Sequence, residues 1–179
     1  ISTGGARPGM DILVTKWNIN AGAFTFPALT SDSIPYKISW GDGNDDTGYS
    51  NAEATHTYAE SGEYTVTVSS EISMENGFLK GITYIGTALK NKSALLYVDM
   101  ENSWVSLSSS MFYNCTALET VKFPSLGSLM QVTSIPDDLF YGCTSLKNLF
   151  NQEKVKVIGA RVFSNCTSLS DIEFPALET

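Results

Sequence analysis

The 179-residue chain is short of what catalytic and metal sites are made from. It has one histidine, His56, and three cysteines, none of them in a C-x-x-C pair. No nucleophile stands at a recognisable spacing from His56, so a structural role is expected for it. Zinc would lack a fourth ligand beside three cysteines. There is no phosphate-cradling glycine loop and no pair of carboxylates in an enzyme context. The reading is therefore of a non-enzyme with no catalytic residue, no metal and no cofactor. No apolar run approaches the roughly 18–20 residues that a membrane helix needs. Basic residues are also scarce: 11 Lys and Arg stand against 19 Asp and Glu, a net charge of −8. No basic run interleaved with aromatics interrupts that acidity, so nucleic acid is not an expected partner.

What is present is the material of a globular protein, 42% hydrophobic and 17% charged, enough for one domain or two small ones. The charge is uneven. Residues 1–72 carry 3 basic and 9 acidic side chains, whereas 73–179 carry 8 and 10, which points to two parts. The chain begins at Ile1 without an apolar signal segment, so a processed or trimmed product is expected. Residues 1–9, ISTGGARPG, read as a flexible tether.

Short period-two apolar runs follow at 12–17, 34–40 and 63–72. In the last, Tyr64, Val66, Val68 and Ile72 share one face and Thr65, Thr67 and Ser69 the other, the mark of a half-buried strand. The cluster 41-GDGNDDTG-48 suits a tight turn. Asp42, Asp45 and Asp46 lack the alternating spacing of a calcium loop, which favours a solvated turn. Together these features give a small antiparallel sandwich over 10–72. The residues Trp40-Gly41-Asp42-Gly43, His56-Thr57-Tyr58 and Gly62 with Tyr64-Thr65-Val66-Thr67-Val68 resemble the PKD-type immunoglobulin-like domain. That resemblance implies a spacer or binding module.

The second part repeats itself. 112-FYNCTALETVKFPSL-126 returns as 140-FYGCTSLKNLF-150 and as 163-FSNCTSLSDIEFPAL-177. Leu118, Leu146 and Leu169 are spaced by 28 and 23 residues, with Val121, Leu149 and Ile172 three positions later. A weaker copy places Leu95, Val98 and Met100 23 residues before Leu118, Val121 and Phe123. Upstream pairs, Trp104 with Leu107, Val132 with Ile135 and Val155 with Ile158, precede Phe112, Phe140 and Phe163. No such coil can bury its apolar side alone, and stacking four of them gives a solenoid over 81–179 with a short connection at 73–80. The fold class is thus mainly β, a sandwich followed by a repeat solenoid.

The repeat resembles the BspA-type leucine-rich repeat. This implies an exported, surface-anchored adhesion protein, with a host or bacterial surface protein as its partner, or alternatively a glycan-capture accessory protein of a carbohydrate-uptake system. A PKD-like domain ahead of such repeats resembles Bacteroides-type surface lipoproteins. That implies contact with the membrane only through a lipid anchor outside this chain. Two departures stand out: Lys92 replaces the cysteine in the first coil, and Asn151 replaces the inward aromatic in the third.

Cys115, Cys143 and Cys166 occupy one register of successive coils, so a ladder of buried thiols is favoured over a disulfide. The residues flanking the third apolar position of each coil should point outward. That gives a candidate ligand-binding face of Tyr97, Asp99, Thr120, Lys122, Asn148, Phe150, Asp171 and Glu173. The aromatics Tyr97 and Phe150 are costly to expose, and packing on a neighbouring loop or on the sandwich is the competing expectation.

Overall fold

In an antiparallel strand with one face on the core, apolar residues fall at every second position. The longest strands obey this rule. β1 (Met10–Ile19) buries Leu13, Thr15, Trp17 and Ile19. The computed structural model describes residues 10–26, 29–31, 36–49, 54–71, 73–75, 78–80, 82–85, 91–103, 107–125 and 131–178. β1 is followed by β2 (Gly22–Thr25), β3 (Leu29–Ser31), β4 (Tyr36–Ser39), β5 (Asp45–Tyr49), β6 (Thr55–Tyr58) and β7 (Gly62–Glu71). Next come β8 (Ser73–Glu75), β9 (Phe78–Lys80) and β10 (Ile82–Ile85). A 3-10 turn, Lys92–Ala94, leads into β11 (Leu95–Asp99). The repeats then supply β12 (Thr120–Lys122), β13 (Ser134–Ile135), β14 (Asn148–Phe150) and β15 (Val157–Ile158). The chain is mainly β, with no α-helix among the described residues.

The region before residue 72 is built on a buried core that includes Leu13, Trp17, Phe24, Ile38, Val66 and Val68, to which the WGDG and HTY motifs add Trp40 and Tyr58. β7 pairs antiparallel with β1 over its whole length and with β4 on its other side. The β2–β6 pair packs on this sheet through Trp17, whose ring lies 5.3 Å from Phe24 and 6.0 Å from Phe26. Between β4 and β5 the chain turns at 41–44, closed by the Trp40 N–H donating to the Asn44 carbonyl. Gly41, at φ 83°, sits where a Cβ would come within 2.5 Å of the Thr65 carbonyl oxygen, so glycine is required there. The Tyr58 hydroxyl donates to the Trp40 carbonyl at 2.9 Å, and His56 stacks on the Trp40 indole and meets Asp42 at 2.7 Å. The three motifs thus fasten one turn.

The strand pairing does not stop at the boundary expected between 72 and 81. A seven-stranded sheet runs in the order β14-β12-β11-β1-β7-β4-β5. Its centre is β1, antiparallel to β7 on one side and to β11 on the other, with Val14 opposite Asp99 and Lys16 opposite Tyr97. β10 pairs back to β3 in the same way. Residues 73–80, expected as a plain connection, contain the antiparallel β8–β9 pair. The physical reason is the first repeat strand: β11 has a parallel partner on one side only. Its free edge of N–H and C=O groups would invite aggregation unless covered, and β1 covers it.

Beyond β11 the sheet is parallel. Val98, Val121 and Leu149 lie side by side, as do Tyr97, Thr120 and Asn148. On the opposite side of the coils β13 pairs parallel with β15, Ile135 beside Ile158. Trp104 lies outside the described residues. Phe112, Phe140 and Phe163 stack at 5.6 and 5.8 Å with nearly parallel rings. The inward residues Leu95, Leu118, Leu146, Met100 and Phe123 are buried throughout.

The corner that repeats Cys-Thr is a hydrogen-bonding device. The Cys143 thiol donates to the Phe112 carbonyl at 3.0 Å, and the Cys166 thiol to the Phe140 carbonyl at 3.1 Å. The following threonines do the same one step outward, Thr144 to the Thr116 carbonyl and Thr167 to the Thr144 carbonyl. Backbone bonds between turns, from Phe112 to Leu139 and from Phe140 to Val162, complete the stitching. Just before each cysteine the chain is left-handed, at Asn114, Gly142 and Asn165, with φ between 59° and 75°. Asparagine and glycine tolerate that conformation best, which is why the triplets read N-C-T, G-C-T and N-C-T.

Candidate binding face

The parallel register places six of the eight expected face residues in two straight rows across the sheet. Tyr97, Thr120 and Asn148 form one, and Asp99, Lys122 and Phe150 the other. The remaining two, Asp171 and Glu173, are exposed but lie in no strand. β14 therefore ends the sheet, and the fourth coil does not extend it.

Asp171 accounts for that break: it stands where Thr120 and Asn148 are extended, but its own backbone is left-handed, φ 53°. Asn151 departs in another way, since its equivalents Met100 and Phe123 are fully buried, and Phe174 is partly buried. Asn151 instead takes a left-handed conformation, φ 65°, and donates through Nδ2 to the Phe123 carbonyl at 3.0 Å. β14 is nonetheless as long as β12, three residues, so Asn151 does not shorten the ladder.

The first-coil end of the face is closed. Tyr97 is partly buried, with Lys16 Nζ 5.4 Å above its ring and its hydroxyl donating to Asp99 Oδ2 at 2.9 Å. Its cost of exposure is met by packing against β1, and it offers no open ring. Lys122 Nζ lies 3.1 Å from Asp99 Oδ2 and 3.9 Å from Glu101 Oε2. Burial works to raise the Asp99 carboxyl, but the Glu101 N–H, Lys122 and Tyr97 outweigh it and hold the group below the usual carboxylate range. The hydrogen bond to Asp99, followed by that to Tyr97, raises Lys122. Burial and then the Asp99 hydrogen bond raise the Tyr97 phenol. At this end the face is a self-satisfied polar triad.

The third-coil end is open. Phe150 is 48% exposed, one of three large apolar side chains that reach solvent to this degree among the described residues. Beside it, between β14 and residues 168–172, lies a cleft of about 460 Å3 lined by Lys147, Asn148, Phe150, Gln152, Ser170 and Asp171. The side-chain carbonyl oxygen of Gln152 is buried and has no hydrogen-bond partner among the described residues. Lys147 pairs with Glu119 at 3.3 Å. Strand parity found Phe150, but Gln152 and Lys147 escaped it because they lie outside β14.

The remaining candidate chemistry is committed elsewhere. Asp42 meets His56, Asp45 meets Lys37 at 2.5 Å, and Asp46 accepts from the Trp40 indole N–H, so all three carboxylates of the turn have protein partners. The three cysteines are free and buried. Burial pushes the Cys115 thiol up to about 12 and raises Cys143 and Cys166 as well, which holds them as unreactive thiols.

A parallel ladder built from 23- and 28-residue spacings, with each buried row drawn from one register of the coil, defines a leucine-rich repeat protein. The chain belongs to the BspA type leucine rich repeat family, whose profile matches residues 68–179 in six copies, two more than the four coils counted from the leucine spacing. No curated protein and no solved structure matches the chain. Repeats of this family typically serve protein binding or adhesion on bacterial surfaces rather than catalysis, which supports a binding role and an extracellular setting. Among the described residues no helix is long and apolar enough to cross a membrane.

Proposed function

We propose that the chain is a non-enzymatic cell-surface adhesion protein that grips its partner with the third-coil end of the strand face. The observation that carries this reading is Phe150, 48% exposed at the open edge of an otherwise self-satisfied sheet. An exposed aromatic ring set in a row of polar side chains can serve as the anchor of a binding face. Thr120, Lys122 and Asn148 flank it in register and supply polar contacts that set specificity. The PKD-like resemblance of residues 10–72 makes that region a spacer, and lipid attachment ahead of this chain would place it on the outer-membrane surface. The N-terminal region has a second duty in this reading, since β1 caps the first coil and fixes which end of the face is left open.

The test is retention of chain-coated beads on an immobilised host-cell surface extract. Phe150→Ala should lower retention about tenfold, the loss of one well-buried aromatic contact. Val157→Ala, an exposed apolar residue outside the face, should leave it unchanged. Equal retention of both variants would remove this face as the binding site.

A further inference from the structure

We infer that the cleft between β14 and residues 168–172 is a carbohydrate subsite, taking a neutral sugar ring stacked on Phe150. This inference rests on the binding face proposed above and names the ligand class for its open end.

Four observations converge. The cleft, about 460 Å3, is the size of a small-ligand site. Its lining is mostly polar, with one exposed aromatic ring at the edge. The negative face of an aromatic ring attracts positively polarised hydrogens, and the C–H groups on the flat side of a pyranose are of that kind. Around that ring stand Asn148, Gln152, Ser170 and Asp171, whose amide, hydroxyl and carboxylate groups complement sugar hydroxyls, which both donate and accept. The Gln152 carbonyl oxygen is buried without a partner among the described residues, and a side-chain rotation that turns it into the cleft would let a sugar hydroxyl supply its missing donor.

Backbone pairing and charge decide against the nearest competitors. An added peptide strand needs a run of free backbone groups along an edge. The Asn148 N–H donates to the Glu119 carbonyl, and the Phe150 carbonyl accepts from the Phe123 N–H, so both residues face the second coil. In a parallel ladder only the intervening Leu149 then turns its N–H and C=O outward, too little to hold a strand. An acidic sugar is disfavoured by charge: Lys147 is paired with Glu119, and Asp171, with no ion-pair partner among the described residues, puts an unbalanced carboxylate on the cleft wall.

The experiment is an amide-resolved NMR titration of the intact chain with neutral gluco-, manno-, galacto- and chito-oligosaccharides at millimolar concentration, beside an oligogalacturonate. At least one neutral member should shift the amides of Asn148, Phe150, Gln152 and Asp171 and saturate. Phe150→Ala should weaken that binding about tenfold. Gln152→Leu, which keeps the volume and removes the acceptor, should weaken it several-fold, whereas Gln152→Glu, which keeps an acceptor, should retain it. Overturning results are a neutral panel that leaves these amides unmoved, tighter binding of the acidic oligosaccharide, or equal binding by Phe150→Ala. The bead assay on enzymatically deglycosylated extract separates the two claims. Retention that survives deglycosylation yet still falls with Phe150→Ala would leave the face standing and remove the sugar.

Discussion

The two regions of the molecule pack their aromatic rings in opposite ways. In the repeats the rings at equivalent positions are stacked face to face, Phe112 on Phe140 at 6°, Phe140 on Phe163 at 13° and Tyr113 on Tyr141 at 4°, while rings at different positions, Phe123 with Phe140 and Phe163 with Phe174, are tilted. Before residue 72 most are edge to face: Trp17 against Phe24 at 66°, Phe24 against Tyr58 at 72°, and His56 against Tyr58 at 90°. Repetition dictates the first arrangement. The same residue on the same backbone takes the same rotamer, and the coil spacing sets the distance between copies. Without repetition, rings of different size settle into the edge-to-face geometry that their quadrupoles favour. Stability in the repeats is therefore a sum over neighbours, while in the N-terminal region it hangs on a few contacts that occur once.

The comparison breaks most visibly at Phe140, the ring with a stacked neighbour on both sides. Phe140→Ala should cost about 4 kcal/mol in denaturant unfolding, because it opens a cavity that two coils share. Hydrogen exchange should quicken at Phe112 and Val162, on the adjoining turns, before it quickens in β7. A loss near 1 kcal/mol would show that the ring ladder does not hold the coils together.

In the N-terminal region the corresponding single point is Gly41. Gly41→Ala places a Cβ against the Thr65 backbone at a left-handed φ and should cost about 2 kcal/mol. Gly43, at φ 95° with open space around it, should cost about half as much as alanine. Equal effects at the two glycines would mean that strain alone matters and the close approach to β7 does not.

The repeats were legible in the sequence because they state the same rule several times. The rows Leu118, Leu146 and Val98, Val121, Leu149 were found by spacing alone, and so was the thiol register. Asn151 was visible as a departure, whereas the end of the sheet lies at Asp171, whose left-handed backbone no pattern displays. The covering of Tyr97 by Lys16 was hidden for another reason: strand parity gives the side of a sheet, not what a distant segment lays over it. The β1–β11 pairing joins segments about eighty residues apart through free edges, and no periodicity records it. One signal was available and unused. Asn114, Gly142 and Asn165 before each cysteine are the residue types that accept a left-handed turn.

Smaller effects sharpen the contrast at the cysteine corner. Cys143→Ala removes a buried thiol and its bond to the Phe112 carbonyl and should cost about 1–2 kcal/mol. With their thiols raised by burial, all three cysteines should resist alkylation at neutral pH in the native protein, and three should react after unfolding. A native-state thiol that labels rapidly, or a count of one after unfolding, would contradict the ladder.

The smallest effect belongs to the junction, where Asp99 of β11, the strand next to β1, joins Lys122 of β12. The Asp99 carboxyl is held below its ordinary value of 3.8, so its contribution to stability is complete above that pH and is lost as the pH falls through the lowered value. Lys122 is raised above its ordinary 10.5, so its share is complete below that pH and is lost only as the pH climbs through the raised value. Between these limits the triad is at full strength. Asp99→Asn should destabilise by under about 1 kcal/mol near neutrality and should flatten part of the acid limb of the stability curve. The same substitution leaves Tyr97 under Lys16, so the β1–β11 pairing should survive it, read as unchanged exchange at Thr15 and Val98. If those amides open together with the lost charge, the triad and not the strand pairing is what joins the two regions.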